Sequence, residues 1–151
     1  TSTKPRMETE NSAMLFKEEA YAVMGACFEV HNELGCGFTE PAYQEALEIE
    51  FGIRGIPFKS QVELPIFYKD TKLKHGFRAD FLCHESVIVE LKSVSTLLPE
   101  HRSQVLNYLN AGRYELGLLV NFGAHPRLQH ERIALTRKKA VESGAFSLRE
   151  E

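Results

Sequence analysis

The chain has 151 residues, of which 43% are hydrophobic and 26% are charged, the size and composition of a single globular domain. Its 18 Lys and Arg residues against 21 Asp and Glu residues give a net charge of −3, which argues against a protein that binds nucleic acid through bulk positive charge alone. No run of about 18 apolar residues is present to span a membrane. The three cysteines lack Cys-x-x-Cys spacing, which argues against a disulfide scaffold or a zinc ribbon. We therefore expect a cytoplasmic protein that does not associate with membranes.

The two ends of the chain are expected to lie outside the folded domain. Residues 1–13 are polar and have no apolar centre of the kind that a secretory signal carries, so they predict a disordered N-terminal arm. Residues 137–151 lose clear periodicity and predict a C-terminal tail. The folded domain is thus expected over residues 14–136.

Two amphipathic helices are predicted in the first third of the domain. Apolar residues recur at spacings of three and four over residues 16–34, which predicts a helix that Gly35 ends. A second helix is predicted to have Pro41 in its first turn and to end near Gly52 or Gly55. Its glutamates divide between the two faces, with Glu50 inside the apolar stripe and Glu45 and Glu48 toward solvent. The buried stripe is expected to consist of Ala42, Tyr43, Ala46, Leu47 and Ile49.

Three segments follow in which apolar and polar residues alternate, as in half-buried strands. They lie at residues 62–68, 77–81 and 87–92 and are joined by short polar loops. Two antiparallel hairpins are therefore the simplest arrangement. Pro65 in the first segment indicates a strand at the edge of a sheet, because proline cannot donate a ladder hydrogen bond.

A third helix is predicted from Pro99 to about Gly112, followed by a nearly all-apolar strand at residues 116–121. Residues 132–135 predict one more strand. The fold class is therefore α/β, a mixed four- to five-stranded central sheet flanked by helices.

The most informative chemical pattern is Asp80 on one predicted strand and Glu90-Leu91-Lys92 on the next. Because side chains alternate across a strand, Glu90 and Lys92 share a face, and Asp80 can lie opposite them. Adjacent carboxylates repel each other, and a divalent cation relieves that repulsion and binds phosphate oxygens. The alternative is a solvated strand face. A charge within the apolar run at residues 87–91, however, is costly unless it is paired or bound to a metal.

Other candidate residues surround the same patch. Gln104 and Tyr108 are one helical turn apart, and they either hold a phosphate or a water molecule or pack on the sheet. Glu40 either caps the second helix or turns toward the sheet to complete a metal site, with Glu50 as a rival acid. His31, on the inner face of the first helix, is either a metal ligand or a hydrogen-bonded core residue.

Taken together, these residues resemble the PD-(D/E)XK nuclease superfamily, which has a restriction-endonuclease-like fold, and within it the GxxExxY family. Gly37, Glu40 and Tyr43 spell that signature, and the resemblance runs from about residue 20 to residue 135. Ala79 stands where the superfamily's name has proline. The other matching segments are His31-Asn32-Glu33-Leu34-Gly35, Arg78-Ala79-Asp80, Val89-Glu90-Leu91-Lys92, Gln104-Val105-Leu106-Asn107-Tyr108 and Leu118-Leu119-Val120-Asn121-Phe122-Gly123.

The resemblance implies an αβββαβ core and a set of residue roles. Asp80 and Glu90 would be acidic metal ligands, with the Leu91 carbonyl as a third ligand, and Lys92 would be the catalytic lysine. The remaining implied site residues are Glu40 as the acid on the helix, Gln104 and Tyr108 as a Gln-x-x-x-Tyr element, and His31 as an upstream histidine.

The activity that the resemblance implies is hydrolysis of phosphodiester bonds, in DNA, with Mg²⁺ or Mn²⁺ as the cofactor. A chain of this size would cover a duplex better as a homodimer. The alternatives are a nucleic-acid-binding or assembly module that keeps the fold without turnover, and an enzyme that acts on a small phosphorylated molecule. The basic residues expected to guide nucleic acid are Lys72, Lys74, Arg78, Arg102 and Arg132.

Overall fold

The computed structural model describes residues 15–137 and 146–150. The N-terminal arm expected at residues 1–13 lies outside the described residues, as do residues 138–145 and 151 of the expected tail. None of the helices in the described ranges combines the length and apolarity that crossing a membrane requires.

Three helices and six strands make up the described residues. The helices are α1 (Lys17–Leu34), α2 (Glu40–Arg54) and α3 (Pro99–Gly112). The strands are β1 (Phe58–Tyr68), β2 (Thr71–Cys83), β3 (Val87–Lys92), β4 (Leu116–Asn121), β5 (Gln129–Arg137) and β6 (Phe146–Glu150).

The strands form one mixed sheet in the order β1-β2-β3-β4-β5-β6. Only β3 and β4 are parallel among these neighbours, because α3 carries the chain from the end of one strand to the start of the other. The predicted fold class is confirmed, as are the two hairpins and the edge position of the strand that contains Pro65. The sixth strand comes from the segment expected to be a tail, and Ile133 of β5 pairs with Glu150 of β6.

The ends of α1 and α2 follow from local backbone chemistry. Gly35 and Gly55 follow the two helices with φ angles of 73° and 70°, a left-handed region that glycine adopts without steric cost. Pro41 lies in the first turn of α2, as predicted.

The buried stripe of α2 differs from the prediction at Ile49 and at Phe51, which the prediction left out. Tyr43, Leu47 and Phe51 are fully buried at a spacing of four, whereas Ile49 is 59% exposed. Two residues correspond to about 200° of rotation around a helix, so Ile49 points away from the face that carries Leu47. Its apolarity suggested burial, but its angular position excludes it.

The central part of the sheet is covered on both faces, and β3 contributes to both cores. Val89 and Leu91 pack with α1 and α2, whereas Ile88 packs with Val105 and Leu109 of α3. The alternation of side chains along β3 therefore directs Glu90 toward α3. This places a carboxylate inside the layer between the sheet and that helix.

Candidate active site

The ladder between β2 and β3 gives way to side-chain hydrogen bonds at the candidate site. Backbone pairing runs from Cys83 opposite Val87 to Phe81 opposite Val89. At the next position the Asp80 N–H donates to Glu90 Oε1 at 3.2 Å. The two strands are thus held together by a carboxylate where a carbonyl would otherwise accept.

The carboxylate of Asp80 makes the reciprocal contact. The Leu91 N–H donates to Asp80 Oδ2 at 2.8 Å, and Lys92 Nζ lies 3.9 Å from Glu90 Oε2. The structure therefore brings Asp80, Glu90, Leu91 and Lys92 together in the way that the alternation pattern predicted.

Burial dominates the electrostatics of the two acids. Desolvation raises the pKa of Asp80. Desolvation, followed by the nearby negative charge of Asp80, raises the pKa of Glu90 to about 8. The Lys92 ammonium opposes both shifts without cancelling them. The buried Glu90 and the half-buried Asp80, with one ammonium beside them, have the oxygen donors and the uncompensated charge that suit a divalent cation.

Tyr108 and Gln104 of α3 extend the site on the same face of the sheet. Burial, and then the charges of Glu90 and Asp80, raise the pKa of the Tyr108 hydroxyl, which donates a hydrogen bond to Glu90. Gln104 Oε1 is buried and accepts no hydrogen bond within the described part of the chain. A buried acceptor without a donor costs about 1–3 kcal/mol, so this oxygen is available to a water molecule or a substrate group.

Helix α2 forms the other wall of the site. A cleft of about 530 Å³ is lined by Glu40, Gln44, Glu45 and Glu48 of α2, together with Gln61, Asp80 and Leu91 of the sheet. Glu40 is exposed at its rim. This placement brings the acid of the Gly37–Tyr43 signature to the same cleft as Asp80.

Glu48 faces this cleft, which contradicts the solvent-facing position predicted for it. Its Oε2 accepts hydrogen bonds from Ser60 Oγ at 2.7 Å and from Gln44 Nε2 at 3.4 Å. The reason is tertiary: β1 passes beside this face of α2 and supplies the serine hydroxyl. Glu50, the rival acid, forms an ion pair with Arg54 of its own helix at 2.7 Å and does not line the cleft.

Two glutamines that sequence reasoning missed hold the Asp80 segment. Gln44 Nε2 donates to the Asp80 carbonyl at 3.2 Å, and Gln61 Nε2 donates to Asp80 Oδ1 at 3.4 Å. Gln61 has a φ of 53° and lies between Ser60, which pairs with Phe81, and Val62, which pairs with Ala79. Neither contact has a signal in the sequence, because each joins residues on different elements.

His31 is a buried core residue in this structure. It is 8% exposed, its Nε2–H donates to the Ala124 carbonyl at 3.1 Å, and its ring lies beside Phe122. No contact among the described residues joins it to Asp80 or Glu90. Within the same residues, no group of three or more His, Cys, Asp or Glu side chains is arranged to hold a metal ion. The structure thus assembles Asp80, Glu90 and Leu91 of the implied ligand set, but does not bring His31 to them.

The signature Gly37–Tyr43 has a structural explanation. Tyr43 is fully buried, stacks on Phe122 with ring centroids 4.6 Å apart, and donates its hydroxyl hydrogen to the Gly35 carbonyl. Gly37 has a φ of 132°, which disfavours other residues. Tyrosine and glycine therefore shape the loop that delivers Glu40 to the start of α2.

Asn121 and Gly123 organise the segment that follows Lys92. Asn121 Oδ1 accepts hydrogen bonds from the N–H groups of Val94 and Gly123, both at 3.0 Å. A Cβ on Gly123 would lie 2.5 Å from the Val94 carbonyl oxygen. The sequence suggested only a turn at Gly123, whereas the structure requires glycine because two backbones approach closely.

Two of the five basic residues expected to guide nucleic acid are used within the fold. Arg102 makes a bidentate contact with Glu131 at 2.7 and 2.9 Å, and Arg132 donates to the Leu15 carbonyl at 2.6 Å. Lys72, Lys74 and Arg78 are exposed on β2, as a nucleic-acid contact requires.

Comparisons with known proteins agree with this geometry. The sequence model of the PD-(D/E)XK nuclease superfamily matches residues 17–133. The crystal structure of SSO0001 is similar over 62% of this chain, with a TM-score of 0.51 and 24% sequence identity, a likeness of fold. This chain spans 48% of the length of that one. No curated protein matches the chain.

Proposed function

This chain belongs to the PD-(D/E)XK nuclease superfamily, and from that premise we propose that it is a metal-dependent nuclease that hydrolyses phosphodiester bonds in DNA. Membership of the superfamily suggests nuclease activity on nucleic acid, and its members typically use divalent metals. The observation that carries the proposal is the contact between Asp80 and the buried Glu90, with Lys92 Nζ 3.9 Å from Glu90. The Gly37–Tyr43 signature supports a finer assignment to the GxxExxY family.

Asp80 and Glu90, together with the Leu91 carbonyl, would hold Mg²⁺ or Mn²⁺. A divalent cation supplies positive charge that binds a phosphate oxygen and lowers the pKa of a water molecule. These residues fit such an ion because their burial makes the uncompensated charge costly. Glu40, at the rim of the cleft, would add a carboxylate from the side of α2.

The remaining side chains have roles that follow from their positions. Lys92 would stabilise the negative charge that develops on the phosphate under attack, because its ammonium group lies beside the acidic pair. Gln104 Oε1 would accept a hydrogen bond from a water molecule and orient it. Tyr108 would hold Glu90 in place through its hydroxyl hydrogen bond.

A binding or assembly module without turnover is the alternative. The grouping of Asp80, Glu90 and Lys92 argues for the enzyme, because buried carboxylates reduce stability and a module without catalysis has no use for them. The homodimer and the cytoplasmic location expected from the sequence stay predictions. Light scattering on the purified chain would measure the first of these.

The test is cleavage of labelled single- and double-stranded DNA and RNA in Mg²⁺ or Mn²⁺. We expect wild-type protein to cleave and chelation by EDTA to abolish cleavage. Lys92→Ala should lower activity by about three orders of magnitude or more while the protein stays folded, because it removes a charge that acts mainly in the transition state.

Lys17→Ala is the matched control, since it removes an exposed lysine from α1, away from the cleft. Wild-type levels of cleavage by Lys92→Ala would remove the lysine from the mechanism. Binding of nucleic acid without cleavage in any metal would favour the non-catalytic module. Turnover of small phosphate esters alone would favour an enzyme that acts on a small phosphorylated molecule.

A further inference from the structure

The hairpin of β1 and β2 extends far beyond the rest of the sheet. These strands have 11 and 13 residues, whereas β3 and β4 have 6 each. Every residue from 67 to 76 is exposed, so neither face of this part is covered. An uncovered two-stranded ribbon is marginal in stability by itself. We call residues 63–78 the hairpin arm.

The charge of this region is opposite to that of the whole chain. The arm, residues 63–78, contains four Lys and Arg against two Asp and Glu, a net charge of +2 in a chain of net charge −3. Arg78 forms an exposed ion pair with Glu63 at 3.6 Å. Lys72 and Lys74 line a groove of about 630 Å³ whose apolar wall includes Leu64 and Phe77. This groove offers cations beside apolar surface.

The tip of the arm exposes aromatic rings. Phe67 is 59% exposed and Tyr68 is 65% exposed, while Lys69 Nζ lies 5.6 Å from the centre of the Tyr68 ring. Gatekeeping against edge-to-edge aggregation would explain the lysines of an uncovered ribbon. It does not explain exposed aromatic rings, which increase that hazard. Rings and cations together are the pattern that binds unpaired bases and their phosphates.

The arm is continuous with the candidate active site. Arg78 lies two residues from Asp80, and the ring of Phe77 lies 5.3 Å from that of Tyr108, which is bonded to Glu90. From Arg78 to Lys72 the strand spans about 20 Å at roughly 3.3 Å per residue. A strand of nucleic acid lying along the arm would therefore lead directly to the carboxylate pair.

We propose that the hairpin arm binds single-stranded nucleic acid, with phosphates at Lys72 and Lys74 and an unpaired base stacked on Phe67, which lies directly opposite Lys72 and on the same face. A second base stacks on Tyr68, on the other face, where the strand passes around the tip of the arm. This inference deepens the proposed function and rests on it, because it names the form of substrate that reaches the site. A duplex hides its bases from such stacking, so it would engage the lysines without the aromatic rings.

Fluorescence anisotropy with a labelled oligothymidylate of about 20 nucleotides tests the proposal in EDTA, where no cleavage occurs. The double variant Phe67→Ala/Tyr68→Ala should bind at least about tenfold more weakly, because stacking of bases on aromatic rings supplies much of the affinity for single strands. Lys72→Ala/Lys74→Ala should reduce the slope of log affinity against log salt by about 1.4, or about 0.7 for each phosphate contact.

Lys17→Ala/Tyr21→Ala is the matched control, because it removes an exposed lysine and an 82% exposed tyrosine from α1. It should bind as wild type does. All variants change exposed residues, and circular dichroism with thermal unfolding checks that each remains folded. The arm is refuted if wild type does not bind the oligonucleotide, or if the aromatic variant binds it as wild type does.

The two proposals fail in different ways. If wild type cleaves nothing in Mn²⁺ but the arm variants lose binding in EDTA, the binding role of the arm is supported and the nuclease proposal is contradicted. If wild type cleaves and the arm variants bind and cleave as well as wild type does, the binding role of the arm is contradicted and the nuclease proposal is supported.

Discussion

At the scale of single residues, the site depends on a burial that works against ionisation. Glu90 is 5% exposed and bonded to the Asp80 N–H, so its charge has lost most of its water. Lys92 at 3.9 Å offsets part of this cost. Ionising both carboxylates is therefore unfavourable in the folded protein, and a divalent cation would offset that cost.

This cost of ionisation predicts that the stability of the metal-free protein falls as pH rises. The pKa of Glu90 is raised from 4.5 to about 8 in the folded state, so between these values the folded protein binds more protons than the unfolded chain. Its contribution to stability is therefore lost as pH rises through this window. Glu90→Gln should be more stable than wild type at pH 8 by at least about 1.4 kcal/mol, the value of one pKa unit, and less so at pH 5.

Urea unfolding in EDTA at the two pH values measures this difference. Glu50→Gln is the matched control, since Glu50 pairs with Arg54 outside the cleft. If Glu90→Gln differs from wild type in free energy of unfolding by the same amount at pH 5 and at pH 8, the raised pKa of Glu90 is contradicted.

At the scale of elements, two loops fix the ends of the strands that carry the chemistry. Ser93 Oγ donates to the Phe38 carbonyl at 2.7 Å, which ties the loop before α2 to the residue after Lys92. Asn121 at the end of β4 binds the Val94 N–H. The two walls of the site are thus joined where β3 ends, and the position of Lys92 depends on both loops.

Gly123→Ala tests the close approach on which this arrangement depends. The added Cβ would lie 2.5 Å from the Val94 carbonyl oxygen and 2.6 Å from its nitrogen, so the backbone must shift. We expect a loss of about 1–3 kcal/mol in the free energy of unfolding. Any nuclease activity should fall as well, because the shift reaches the segment after Lys92.

Gly52→Ala provides the comparison for Gly123→Ala. A Cβ at Gly52 of α2 meets nothing within 4 Å, so alanine should stabilise the helix by about 0.5–1 kcal/mol. Urea unfolding of both variants gives the two values. Equal stability of Gly123→Ala and wild type would show that the loop has room to adjust.

At the scale of the whole molecule, the sheet separates two cores. The site lies between them, where backbone pairing of β2 with β3 is replaced by side-chain hydrogen bonds. Val89 and Leu91 belong to the core under α1 and α2, and Ile88 belongs to the core under α3. Asp80 lines the cleft beside α2, whereas Glu90 bonds with Tyr108 of α3. A cation bound by both carboxylates would therefore link the two layers and stabilise the whole domain.

Metal binding should accordingly raise the melting temperature. Free Mn²⁺ at about 100 times its dissociation constant adds about 2.7 kcal/mol, or about 5–10 °C for a domain of this size. Asp80→Asn should lose this increase, and Glu50→Gln should keep it. Differential scanning calorimetry with and without Mn²⁺ gives the measurement, and an equal increase in Asp80→Asn would move the metal away from this site.

The relation between sequence and structure differs between the two acids and the rest of the site. Strand alternation predicted that Glu90 and Lys92 share a face and that Asp80 lies near them, because period and strand pairing are local properties. The inward position of Glu48 and the contacts of Gln44 and Gln61 with Asp80 had no such local cause. Each depends on which element covers a given face.

Local patterns along the chain were enough to predict the order of the principal helices and strands, the mixed sheet, and the two acids and lysine on neighbouring strands. Contacts between distant elements set the remaining features. The ladder opens at Asp80, Glu40 and Glu48 border the cleft, Glu50 pairs with Arg54, and His31 forms a hydrogen bond with Ala124. The physical reason is that periodicity states which side of an element is apolar. It does not state which distant backbone or side chain will lie against that element.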